Sequence, residues 1–126
     1  MSNKLENIFT LTPKKKPSKT NPILFRRNKL LSGINKQIQN IHDLKRGLKV
    51  RNVWFFNDEN NKFYLIVKYG KYELELSKNK YSIMCENIDQ VLDNLEKLKE
   101  LVSSGQFDTN LSEMSKSIRQ NFETTS

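Results

Sequence analysis

An α+β fold is predicted for this 126-residue chain: an N-terminal helix, a four-stranded antiparallel meander and a long C-terminal helix packed on one sheet face. Three observations predict it. Apolar residues recur at intervals of three and four between Leu30 and Leu48, three turn signals over 50–86 agree on a period-two pattern, and a wide apolar stripe returns between Ile88 and Val102.

Residues 1–22 read as a basic disordered arm. They hold all three prolines (Pro13, Pro17, Pro22) and the run Lys14-Lys15-Lys16, so backbone donors are missing and like charges repel. Leu5, Ile8, Phe9 and Leu11 make either a short docking peptide or a frayed end, because so short a helix is marginal alone. Residues 23–105 read as a single α+β domain.

The first helix is expected from about Arg26 to Arg46, with Leu30, Ile34, Ile38, Ile41, Leu44 and Leu48 as its apolar stripe. Gly33 weakens it and Gly47 stops it. The meander follows from its turns. A tip at Asp58–Asn60 pairs Phe55 with Phe63 and Trp54 with Tyr64. A type II′ turn at Gly70-Lys71 pairs Tyr69 with Tyr72, and a last turn through Ser77–Lys80 pairs Leu74 with Ile83. These registers put Val53, Phe55, Phe63, Leu65, Val67, Leu74, Ile83 and Cys85 on one face. Trp54, Phe56, Lys62, Tyr64, Ile66, Lys68, Glu73, Glu75 and Met84 fall on the other.

Asn87 followed by Gln90 reads as a capping box for the last helix. Its residues Ile88, Val91, Leu95, Leu98 and Val102 are spaced close to 3.5, which suits two-chain packing, while Leu92 and Leu101 widen the stripe toward the sheet. A homodimer is expected on that ground. Leu111, Met114 and Ile118 line a possible short helix, but nothing caps its end, and 106–126 read as a weakly ordered tail.

Charge is divided unevenly. Residues 1–51 carry thirteen Lys/Arg against two acids, a net +11, and residues 52–126 carry nine against twelve, a net −3. Seventeen Lys, fifteen Asn and no Ala also fit a nucleotide bias in the coding sequence, but such a bias does not gather charge at one end. A basic arm on a near-neutral body is the layout that binds a polyanion, with nucleic acid the first candidate. The longest strongly apolar run, Phe63–Val67, is far short of the ~20 residues of a membrane span. With no apolar leader segment and a lone Cys85, a cytoplasmic location is expected.

Trp54, Phe56 and Tyr64 interleaved with Lys62 and Lys68 on one sheet face suit single-stranded nucleic acid, with bases stacking on rings and Lys neutralising phosphates. The competing reading is that the first helix or a second subunit buries this face. The candidate binding set is completed by Lys14, Lys15, Lys16, Arg26, Arg27, Lys29, Lys45, Arg46, Lys49 and Arg51. Glu73 and Glu75 argue against a phosphate path across the third strand, and Glu73 facing Lys68 reads as a cross-strand pair. No catalytic set is apparent. Cys85 falls on the core face, His42 and Asp43 are neighbours that diverge on a helix, and neither a glycine-rich phosphate loop nor metal-ligand spacing occurs. No metal or cofactor is expected.

The order of a strand-rich middle followed by a long amphipathic helix, over about 48–105, resembles the Whirly and positive-cofactor transcriptional coactivator architecture. That resemblance implies a dimer that binds single-stranded DNA. Arg26-Arg27-Asn28-Lys29-Leu30, the Trp-containing strand, Val67-Lys68-Tyr69-Gly70 and Leu74-Glu75-Leu76 are similar to a family of small uncharacterised phage and prophage proteins. This second likeness implies a role in replication, recombination or transcription, or in binding a host protein. The leading expectation is a non-enzymatic single-stranded DNA-binding protein. The alternative is a small regulatory protein that binds replication or transcription machinery.

Overall fold

The computed structural model describes residues 4–15 and 21–124. Of the expected arm, Lys4–Asn7 form one 3-10 turn and residues 8–15 are exposed without regular structure, whereas Lys16 lies outside the described residues. The chain is α+β, with three α-helices and small antiparallel sheets among the described residues.

Helix α1 (Pro22–Lys45) starts four residues before Arg26 because the sequence supplies a start there. The Asn21 side chain accepts from the Ile23 N–H at 2.9 Å, and Pro22 takes the first helical position, where its missing donor costs nothing. The helix closes on a Schellman pattern: Leu48 N–H donates to the Asp43 carbonyl at 2.9 Å and Gly47 N–H to that of Leu44 at 3.0 Å. Leu30, Ile34 and Ile41 are buried, but Leu44 and Leu48, expected on the stripe, are exposed. Leu48 has already left the helix.

The strands differ from a meander in one decisive pairing. Strand β1 (Phe55–Asn57) pairs β2 (Phe63–Ile66) with Phe55 opposite Leu65 and Phe56 opposite Tyr64. This register is two residues from the expected one. The loop closes at Asp58 and Lys62 with Asn61 at φ +60, three residues ending in the left-handed region. An error of two leaves the side chains of β1 and β2 on their expected faces. Strands β3 (Lys68–Tyr69) and β4 (Tyr72–Glu73) form the expected hairpin, with Leu74 N–H donating to Val67 carbonyl.

Beyond Leu74 the chain leaves the ladder. A tight turn pairs Ser77 with Lys80, and β5 (Ser82–Cys85) then pairs with β2 instead of β4: Leu65 faces Ile83 and Phe63 faces Cys85. The expected Leu74–Ile83 pair is therefore not made. The result is a three-stranded sheet ordered β1-β2-β5 and a separate two-stranded β3-β4 ribbon.

Helix α2 (Ile88–Ser103) begins as expected, with Asn87 Oδ1 accepting from Gln90 N–H at 2.9 Å. Val91, Leu95, Leu98 and Val102 are buried within the chain, against Leu65, Phe55 and the stripe of α1. The spacing read as a two-chain seam is thus used for the chain's own core. Helix α3 (Asp108–Thr124) replaces the expected tail. Leu111 is fully buried, and Met114 and Ile118 pack on the same core. The start of α3 is fixed by Arg27 on α1, whose Nε and Nη2 meet Asp108 Oδ1 and Oδ2 at 2.8 and 2.5 Å. Gly105, at φ +90, gives that pair room, since a Cβ there would lie 2.8 Å from Arg27 Nη2. No described helix is long and apolar enough to cross a membrane.

Candidate nucleic-acid interface

Trp54 is buried, and two polar residues of α1 put it there. Gln37 Oε1 accepts from the Trp54 N–H at 2.9 Å while its Nε2 donates to the Asn52 carbonyl at 3.0 Å. One side-chain amide thus serves the main chain as a neighbouring strand would. Asn40 Nδ2 reaches the Arg51 carbonyl at 3.5 Å. With Asn52 at φ +56, the chain bends against the helix before β1 begins, and the indole fills the notch at Gly33. Gly33 is therefore a packing site. Trp54 was expected to stack on bases, but it has no free face to offer.

The other two rings of the expected platform remain accessible. Phe56 and Tyr64 stack across β1 and β2 at 5.6 Å between centroids, and Phe56 is about half exposed. Their surroundings do not suit phosphate. Tyr64 Oη donates to Asp58 Oδ2 at 3.1 Å, a bond that pushes the phenol pKa up. Asp58 also accepts from the N–H groups of Lys62 and Asn60, which hold its carboxyl below the usual range. Lys62 is paired with Glu86.

The basic residues separate into two groups. Lys45, Arg46, Lys49 and Arg51 gather at the C-terminal end of α1, where Lys45 pairs with Asp89 and Arg46 lies 4.0 Å from Asp43. Arg26 and Lys29 sit at the other end, ~28 Å away at 1.5 Å rise per residue. Arg27 is committed to Asp108, which raises the guanidinium pKa. Lys68 lies half-buried opposite Glu73 in the β3-β4 ribbon. Lys14 and Lys15 are exposed on the arm.

At the N-terminal end of α1 the structure assembles a groove absent from the sequence-derived set. Pro22, Phe25, Arg26, Tyr69, Ser115 and Arg119 line about 290 Å³ between α1, α3 and β3. Lys29 Nζ stands 4.6 Å from the centre of the Tyr69 ring and would be 3.8 Å from a Cβ at Gly70. Lys71, next in the turn, lies over Tyr72 at 5.5 Å. Since Lys29 occupies Tyr69, the ring left for a ligand is Phe25, about half exposed. The run Phe25-Arg26-Arg27 was the available signal. Arg119 carried none, because it joins the groove only when α3 docks.

Beside this groove runs a surface of opposite sign. Glu73, Glu75 and Glu113 line about 440 Å³ between β4 and α3. Glu75 is structural: its carboxylate accepts from Asn79 N–H at 3.2 Å and Tyr81 Oη at 3.0 Å, raising the Tyr81 pKa, and its carbonyl accepts from Asn110. Cys85 is buried and its thiol pKa is raised by desolvation, the opposite of an activated nucleophile. Among the described residues no cluster of three His, Cys, Asp or Glu side chains is placed to hold a metal.

No protein-family model, curated protein or solved structure matches this chain.

Proposed function

We propose that the chain is a non-enzymatic protein that binds single-stranded nucleic acid, with DNA the first ligand to test. The carrying observation is the groove at the start of α1, where Arg26 and Arg119 share the lining with the half-exposed Phe25 ring and Lys29 stands over the Tyr69 wall. The cations neutralise phosphates, and a base stacks on Phe25. Stacking of this kind is worth ~1–3 kcal/mol per base. Lys14 and Lys15 precede the groove in sequence and extend the positive field along the strand. The acidic surface of Glu73, Glu75 and Glu113 bounds the path on one side.

The test is titration of fluorescent single- and double-stranded oligonucleotides at two salt concentrations. Tighter binding of the single strand is expected, with Arg26→Ala/Arg119→Ala reducing the magnitude of the log–log salt slope by ~1.4, from ~0.7 per lost phosphate contact. Removal of 1–20, which spares the Asn21 cap, lowers it further. Equal affinity and slope in the double variant sinks the groove as the site.

A second reading, a small protein that docks on replication or transcription machinery, is favoured by the exposed Leu5, Ile8, Phe9 and Leu11 of the arm. A truncated chain lacking them that keeps full oligonucleotide affinity, but loses a partner retained by the full chain, supports it.

A further inference from the structure

The β3-β4 hairpin pairs Tyr69 with Tyr72, so the two rings share one face of the ribbon, and Lys68 and Glu73 take the other. Directly opposed residues of this kind have Cβ atoms ~5 Å apart. Away from the turn the tyrosine face carries Val67 and Leu74, both buried in the core. At the turn it ends in Tyr69, buried as a wall of the α1 groove, and in Tyr72, half-buried beside it. Each ring holds an amine. Lys29 Nζ lies 4.6 Å from the centre of Tyr69, and Lys71 Nζ lies 5.5 Å from that of Tyr72. Lys29 reaches the tip itself, since a Cβ at Gly70 would lie 3.8 Å from its Nζ.

We infer that the hairpin tip carries the nucleic-acid path out of the groove, with Lys29 taking the phosphate next to the groove and Lys71 the phosphate after it. This path rests on the groove binding a single strand. Among the described residues neither Lys29 nor Lys71 makes an ion pair, unlike Arg27, Lys45 and Lys62. The rings hold the two amines without neutralising them. Like charges kept on adjacent rings repel, and an anionic backbone laid across them removes that repulsion. The route is also continuous. Tyr69 belongs to both groove and hairpin, so a strand with a base on Phe25 passes Lys29 before it reaches Lys71. Acids close the alternative: Glu73 stands on the opposite ribbon face, and Glu75 and Glu113 line the surface beyond it. Lys68, on the face of Glu73, is left off the path.

The two parts of the path recognise different chemistry. Phe25 in the groove is about half exposed and offers a ring to a base, whereas Tyr69 is 6% exposed and Lys71 lies over Tyr72. The tip therefore contacts the backbone alone, and the bases passing it stay in water. Phosphate contacts of this kind position a strand and carry no sequence information.

Titration of the full chain against fluorescent oligothymidylate at several salt concentrations tests it. Lys71→Ala is expected to weaken binding several-fold at low salt and to reduce the magnitude of the log–log slope by ~0.7, one single-strand phosphate contact. The loss is expected to be the same on oligodeoxyadenylate. Lys71→Arg is expected to keep wild-type binding, and Lys99→Ala, which removes the same charge from the exposed side of α2, to leave the slope unchanged. Both lysines are exposed, so these variants should melt like the wild type. An unchanged slope in Lys71→Ala, while Arg26→Ala/Arg119→Ala lowers it, overturns the hairpin path and leaves the groove standing. Equal losses in Lys71→Ala and Lys99→Ala overturn it as well, because net charge alone then accounts for both. A wild type that binds no oligonucleotide removes groove and path together.

Discussion

Gly33→Ala offers the sharpest check on how α1 and β1 are joined. In a solvent-facing helix interior this change is stabilising by ~1 kcal/mol, because glycine carries the larger backbone entropy. Here a Cβ would lie 2.9 Å from both Cη2 and Cζ2 of Trp54, at least ~0.6 Å inside the favourable carbon–carbon distance. The indole cannot simply retreat, since its own backbone N–H is held by Gln37 and the segment before it by Asn40. Overpacking of this kind costs ~1–3 kcal/mol, so the net result is a loss of about 1 kcal/mol, opposite in sign to the propensity. In a Trp54→Phe background the outer indole ring is gone, the clash is relieved, and Gly33→Ala is expected to stabilise by up to ~1 kcal/mol. Urea unfolding followed by far-ultraviolet circular dichroism reads both. At ~1–3 kcal/mol per molar urea, each step moves the midpoint by ~0.3–1 M. A raised midpoint for Gly33→Ala in the wild-type background refutes the notch, and the same sign in both backgrounds refutes the coupling.

Leu111→Ala is expected to cost ~2–5 kcal/mol by opening a cavity in the core; an unchanged melting temperature would mean that α3 is not part of the cooperative unit. Arg27 holds the Asp108 carboxyl below the usual carboxylate range. A carboxylate whose folded pKa is depressed stabilises fully above its unfolded value near ~4 and loses that contribution as pH falls through the folded value. Melting temperature should therefore drop as pH is lowered below ~4, and Asp108→Asn should flatten part of that drop while lowering stability at neutral pH. Asp58 shifts in the same direction, so a residual slope is expected. Identical pH profiles for the two proteins would show the pair to be inert.

Much of the architecture was legible because it rests on local rules. The Gly70-Lys71 turn, the Asn87 cap and the end of α1 at Gly47 are decided by residues within one turn of each other. The division of side chains between sheet faces also survived a two-residue register error, because the strand period is two. What the sequence did not contain was a choice among partners distant along the chain. Ile83 and Cys85 alternate correctly for pairing with either β4 or β2, and only the closed core, with α2 over Leu65, selects β2. Trp54 looks like an exposed platform by alternation, yet it is buried because Gln37 and Gly33, each unremarkable in a helical stripe, present an amide and a vacancy at the right height. Leu111 could be read as lining a short helix, but its burial and the place of Arg119 depend on α3 meeting α1, where Arg27 pairs with Asp108. The sequence alone determined the first helix, the helix after Asn87 and the Gly70-Lys71 turn, which face each residue of β1, β2 and β5 takes, and that positive charge gathers in the first 51 residues. The tertiary structure decided which cations are already neutralised, which rings are buried and where a basic groove opens, because those outcomes depend on side chains brought together from distant parts of the chain, Arg27 with Asp108 and Arg26 with Arg119 among them.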